Sequence, residues 1–172
     1  MIDRLIDGAH EGALPPEALR GIVDAIVARP ELWEPHVRHD PEARHFELLW
    51  QDDRIEAWVI SWTGEAHDTG FHDHDESSGS FGIARGELVE ERLGLGSTIR
   101  RRLRAGQSVS FGTSHVHRVR GVDGVESVSV HAYSPPLRRM GVYAVSDEGA
   151  LERESVQPRH ELRAAPPVAK NA

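Results

Sequence analysis

From about residue 43 the chain is built of short apolar stretches broken by turn residues, several of them alternating apolar and polar positions with the period of two expected of β-strands. Segments 46–50, 55–62, 81–84, 87–93, 99–103, 108–111, 117–120, 127–133 and 142–145 each read as a strand. Many short strands with glycine-rich turns between them predict an all-β sandwich or barrel. The pattern upstream is different. After Pro15-Pro16-Glu17, the residues Leu19, Ile22, Val23, Ile26 and Val27 recur at helical spacing, and Pro30 and Pro35 stop the run. The chain therefore divides into a helical segment over residues 1–40, packed on the outside, a β domain over 41–148, and a polar, partly disordered tail over 149–172.

Composition narrows the chemistry. With 172 residues the chain can bury a real core, and it has no cysteine. Disulfides, thiolate metal sites and a cysteine nucleophile are thereby excluded. The formal net charge of −8 argues against nucleic acid as a partner. The basic run Arg100-Arg101-Arg102-Leu103-Arg104 reads as a charged edge strand rather than a phosphate site. No apolar run is long enough for a membrane span, and the start of the chain lacks the pattern of an export signal. These features predict a cytoplasmic protein, a monomer or small homo-oligomer, with a small molecule as its partner.

The candidate chemistry lies in two His-X-His pairs, His72-Asp73-His74 and His115-Val116-His117. On a strand, residues i and i+2 share a face, so each pair aims two imidazoles at one point. Two such strands facing each other supply three or four nitrogen ligands to a metal ion, and neutral imidazole suits Fe, Zn, Ni or Cu. His72, His74 and His117 form the expected set, with His115 competing for the third place.

In Gly70-Phe71-His72-Asp73-His74 the chain resembles the first motif of the cupin superfamily. There a glutamate ligand follows His-X-His by four or five residues, and a glycine follows seven later. Here Gly86 lies seven after Gly79, so Gly79 stands at the glutamate position and Glu76 comes too early. A three-histidine face without a carboxylate resembles the thiol dioxygenase family, whose best-known type is cysteine dioxygenase. His117-Arg118-Val119 and the stretch Ser127-Val128-Ser129-Val130-His131-Ala132-Tyr133-Ser134-Pro135-Pro136 resemble further motifs of that family, and the likeness spans residues 43–143. The resemblance implies a mainly β cupin jelly roll, Fe(II) as cofactor, O2 as co-substrate and oxidation of a small thiol to its sulfinic acid. It also implies a relay in which Ser129 orients His131 and His131 holds the Tyr133 hydroxyl toward the reacting groups.

Substrate choice is less direct. The cysteine-specific members of the family hold the substrate carboxylate with an arginine on the strand before the first histidines. Here Glu47 occupies that region, and a one-residue slip brings in Arg44 or Arg54. Arg139, after the signature, resembles the arginine region of 3-mercaptopropionate dioxygenases. Arg139, Arg44 and Glu47 are the substrate-binding candidates, with cysteamine in view if Glu47 lines the pocket. His67 and Arg85 are lesser ones. The competing readings are another metal-dependent cupin enzyme, an isomerase or a non-thiol dioxygenase, and a non-enzymatic metal-binding sensor.

Overall fold

The computed structural model describes residues 12–93, 98–145 and 151–157. Helix α1 (Pro16–Val27) is followed by a short α2 (Pro30–Trp33) and a 3-10 turn (Glu34–His36). Eleven strands follow among the described residues: β1 (His45–Gln51), β2 (Glu56–Thr63), β3 (Phe71–Asp73), β4 (Ser78–Arg85), β5 (Glu87–Leu93), β6 (Thr98–Arg104), β7 (Ser108–Phe111), β8 (His117–Arg120), β9 (Glu126–Ser134), β10 (Met140–Val145) and β11 (Leu151–Val156). One sheet has the order β1-β2-β9-β4-β7 and the other β11-β10-β3-β8-β5-β6. All the strand pairings are antiparallel.

Two details depart from the sequence reading. Pro30 opens a second helical turn instead of ending the helical segment, because a first-turn proline lacks only an N–H that has no partner there. Residues 151–156, expected within the polar tail, form β11 and pair with β10 along its length. The remainder of the tail, including Ala164-Ala165-Pro166-Pro167, lies outside the described residues, as do residues 1–11.

The five-stranded sheet has two working faces. On its outer face Ala57 and Val59 of β2 and Val128, Val130 and Ala132 of β9 meet Leu19, Ile22, Val23 and Ile26 of α1. The i, i+3, i+4, i+7 spacing of those four places them on one stripe of the helix. Each buried aliphatic side chain contributes about 1.5–3 kcal/mol. Gly82 makes the close approach possible, since a Cβ there would lie 2.8 Å from Val23. On the inner face the same strands turn the opposite residues toward the second sheet. Trp62, Phe81 and Ile83 pack there against Leu88, Leu103 and Val119. Strand alternation thus sends the helix-binding residues and the site residues to opposite sides of one sheet.

The second sheet carries the histidines. Its strand β3 is three residues long and is held by its outward residue. The Asp73 carboxylate accepts from the Tyr143 hydroxyl at 2.7 Å, from Arg153 at 2.7 and 2.9 Å and from the Gly141 N–H at 3.1 Å. Burial alone would raise the pKa of Asp73, but these donors outweigh it and hold the group well below the usual 3.8. No helix among the described residues is long and apolar enough to cross a membrane.

A depressed carboxyl pKa contributes stability that is present in full above the unfolded value and is lost as pH falls through the folded one. Asp73→Asn should therefore lower stability by about 2 kcal/mol at pH 7. Chemical denaturation of the two proteins should show the difference shrinking as pH falls below 3.8. A pH-independent difference would mean that the carboxylate charge is not what holds β3.

Candidate metal centre

His72 on β3 sits directly opposite His117 on β8, and His74 follows two residues after His72. All three are buried, and their ligand nitrogens lie within 4.8 Å of one another. The sequence-predicted triad is thus brought together at the interface of the two sheets. Desolvation, helped by neighbouring charge, holds the pKa of His72 and His74 well below 6.5; for His117 desolvation lowers it against the opposing pull of Glu90. All three rings are neutral at pH 7 and can offer lone pairs.

The remaining ring hydrogen bonds select the ligand atoms. The His72 Nδ1–H donates to the Gly70 carbonyl at 3.1 Å, and the His117 Nδ1–H donates to Glu90 at 2.9 Å. Each bond leaves Nε2 as the ligand nitrogen. His74 is held by stacking instead, with its ring between Phe111 at 4.8 Å and Tyr133 at 5.0 Å. Among the described residues neither His74 nitrogen has a hydrogen-bond partner, although both are fully buried. A buried polar atom without a partner is costly, and a metal ion removes the cost. The donor set therefore fits a divalent ion that prefers nitrogen ligands.

Gly79 shows why no carboxylate joins the three histidines. A Cβ at this position would stand 2.5 Å from Phe111 and 2.9 Å from Tyr133. The two rings that sandwich His74 fill the space a glutamate would need. His115 takes another place. Its Nε2 bonds to Glu90 at 3.2 Å and its ring stacks on Phe111 at 4.8 Å. It stands behind His117 rather than beside His72, although Glu90, His115 and His117 also form a compact group.

Glu90 is fully buried on β5 and joins His117, His115 and Arg101. Desolvation would raise its pKa, but its hydrogen bonds to those three hold the carboxyl ionised. Sequence reasoning missed it. Its only signal was its place directly after Leu88-Val89, opposite an arginine of the basic run, and the adjacent Glu91 carries much the same signal. Arg101 of that run is thus a structural partner of the site.

Ser129, His131 and Tyr133 share the inner face of β9. Ser129 Oγ lies 2.8 Å from His131 Nε2, and His131 Nδ1 lies 3.1 Å from the Tyr133 hydroxyl. Trp62 starts this chain, donating from Nε1 to Ser129 Oγ at 2.9 Å. An indole can only donate, so Ser129 Oγ accepts from Trp62 and its one O–H is free to donate to His131 Nε2. With the Ser129 O–H donating to Nε2, the His131 proton sits on Nδ1 and the Tyr133 oxygen accepts a hydrogen bond from it. The tyrosine O–H then points onward. Burial lowers the pKa of His131 to about 3, which keeps the ring singly protonated as this direction requires. Burial, reinforced by Glu56 and opposed by Arg44, raises the pKa of Tyr133, so the phenol keeps its proton.

A cavity of about 470 Å³ reaches His72, His117, His131 and Tyr133. Of the predicted substrate residues it takes in Arg44, which is buried and whose guanidinium lies 5.1 Å from the Trp62 ring. Glu47 and Arg139 are outside the lining. Glu47 is on the other face of β1 and bonds to His36 at 2.6 Å. Arg139 is exposed and donates to Ser155 at 2.9 Å. Arg54 pairs with Asp52, and Arg85 with Glu34. His67 is buried away from the cavity, with Nδ1 accepting from the Thr63 N–H at 2.8 Å. Glu56 lines the cavity and was not expected; a single carboxylate between Ile55 and Ala57 in an apolar strand was its signal.

The family model for cysteine dioxygenase type I matches residues 13–146. No curated protein sequence matches the chain significantly. In fold the chain is similar to a Thermus thermophilus protein, with 17% identity, 59% of this chain and 92% of that one covered, and a TM-score of 0.53. It is also similar to a double-stranded β-helix protein of Klebsiella pneumoniae, at 14% identity, 70% and 91% coverage and a TM-score of 0.52. A cupin superfamily protein of Desulfitobacterium hafniense gives 13% identity, 62% and 90% coverage and a TM-score of 0.52. These likenesses show a cupin fold.

Removing the charge that orients His117 should weaken the centre without emptying it. Glu90→Gln is expected to lower metal affinity about 10–100-fold, measured by chelator competition. Unchanged affinity would remove Glu90 from the support of the site.

Proposed function

Because the chain belongs to the cysteine dioxygenase type I family, we propose that it is a non-haem Fe(II) thiol dioxygenase that converts a thiol and O2 to the sulfinic acid. The reaction balances as RSH + O2 → RSO2H, with both oxygen atoms ending on sulfur. The family match supports a metal-dependent oxidoreductase; the iron, the thiol and the residue roles are our reading. The observation that carries it is the cluster of three neutral histidines, two of which, His72 and His117, face one cavity together with Tyr133 and Arg44.

His72, His74 and His117 would hold the ion. Bound there, Fe(II) supplies the redox chemistry and favours the thiolate form of the substrate. Neutral ligands leave the charge of the dication undiminished, which suits an anionic sulfur. Arg44 holds the substrate carboxylate. Its guanidinium is fixed against Trp62, so less side-chain freedom is lost on binding. Tyr133 donates its hydrogen bond to the substrate or the oxygen being transferred, and His131, Ser129 and Trp62 hold that O–H in one direction. His131 and Ser129 are positioning residues; Tyr133 is the group that touches the reactants. The packed inner faces around His74 and Phe81 exclude water from the deep end, which strengthens each of these interactions.

Glu47 no longer supports an amine-bearing substrate such as cysteamine, since it bonds to His36 outside the cavity. The preference is for a thiol that carries a carboxylate, such as 3-mercaptopropionate or cysteine, over cysteamine.

Oxygen uptake by the Fe(II)-reconstituted protein with 3-mercaptopropionate, cysteine and cysteamine tests the activity. Sulfinate should form stoichiometrically with O2 consumed; iron-loaded protein that consumes none with any thiol would overturn the reading. Arg44→Ala should raise KM for the carboxylate thiols at least tenfold with a smaller effect on kcat, as expected for loss of a charge-assisted bond worth about 1.5–3 kcal/mol. Tyr133→Phe should retain iron and lower kcat by about 100-fold, the lower end of the range for a positioned proton donor. An unchanged kcat would remove the phenol from the reaction.

A further inference from the structure

The cavity is larger than the chemistry at its deep end requires. About 470 Å³ corresponds to roughly fifteen waters at liquid density, whereas a three-carbon thiol displaces about four. The surplus has a direction. In the strand order β9-β2-β1, each step is about 4.8 Å, so the edge strand β1 stands roughly 10 Å from the strand that carries His131 and Tyr133. Register shows what covers that distance. Trp58 lies opposite His131 on one side and Leu48 on the other; Ile60 lies opposite Ser129 and Phe46. These four apolar side chains all line the cavity, in two rows leading from the relay to the edge of the sheet.

The outer end of both rows is exposed. Phe46 is 38% and Leu48 is 39% accessible, and Phe46 meets Trp58 edge-on at 6.1 Å. An edge strand is a poor place for large exposed apolar side chains, which invite pairing with other chains, and edges are usually protected by charge. On β1 the charged residue, Glu47, faces away, as do Leu49 and Trp50, while the two exposed apolar residues, Phe46 and Leu48, face the cavity. A concave apolar wall continuous with a polar deep end is the form of a small-molecule site that takes an apolar ligand.

We propose that the substrate is a thiol acid bearing an alkyl or aryl body larger than that of cysteine or 3-mercaptopropionate. Its sulfur lies at the histidines, its carboxylate at Arg44, and its hydrocarbon against Trp58, Ile60, Phe46 and Leu48. The placement of the sulfur rests on the thiol dioxygenase reading; the placement of the body does not.

Two measurements separate the two. Calorimetric titration of the metal-reconstituted protein with sulfur-free carboxylates (butyrate, hexanoate and 3-phenylpropionate) needs no turnover. Affinity should rise about threefold per added methylene, and Leu48→Asp should flatten the series. In oxygen uptake, 2-butyl- and 2-benzyl-3-mercaptopropionate should exceed 3-mercaptopropionate at least tenfold in kcat/KM. A rising binding series with no oxidation of any thiol would uphold the apolar site and overturn the thiol dioxygenase reading. Oxidation of thiols with a flat binding series, or with the unsubstituted thiol preferred, would uphold that reading and overturn this proposal.

Discussion

The register of β3 against β8 governs the centre, because it sets His72 opposite His117 and leaves His74 on the same face. Side chains alternate with period two, so a slip of one residue would turn His72 of β3 and His74 just after it out of the interior together. A three-residue strand cannot hold that register alone. Outside bonds fix it. The Thr69 N–H donates to the Val119 carbonyl at 3.0 Å, and Thr69 Oγ1 accepts from the Val119 N–H at 2.9 Å. Asp68 pairs with Arg118, and Asp73 ties the outer side of β3 to β10 and to Arg153 of β11. The polar network on the outside of the sheet is therefore what gives the inside its geometry.

Inside, the governing quantity is desolvation. It strips protons from three histidines and from His131, and it keeps the proton on Tyr133. The same burial would protonate Glu90, yet two histidines and Arg101 bind its oxygens and keep it ionised. One buried anion behind the three neutral imidazoles orients His117 without joining their cluster. Phe111 and Tyr133 close the remaining position above Gly79, so packing as well as ligand identity defines a centre of three histidines.

Much of this was legible in the chain. The strand segments, the helix stripe, the His-X-His pair at residues 72–74 and the Ser-His-Tyr alternation depend on local periodicity, which is set by backbone geometry. Arg44, Arg139 and Glu47 could not be ranked, because each lies on or beside a strand, β1 or β10, whose inward side is set by tertiary packing. The β-bulge between Leu48 and Trp50 adds to the difficulty by shifting parity within that strand. Trp62, Glu56 and Glu90 were overlooked for a related reason. The role of each comes from a partner at least 11 residues away or from the cavity it faces, which local sequence does not display.

The sequence by itself determined the β architecture, the three imidazoles and the absence of any thiolate ligand, because residue type and spacing suffice for each. Only the tertiary structure decided that His115 stands behind His117 and that Arg44 rather than Arg139 enters the cavity. It also decided that Trp62 donates to Ser129 at the head of the Ser-His-Tyr hydrogen-bond chain and that an apolar wall leads from that chain to β1. These depend on which strands become neighbours. Neighbouring strands here are distant in sequence, and their pairing is set by the packing of whole sheets rather than by any local pattern.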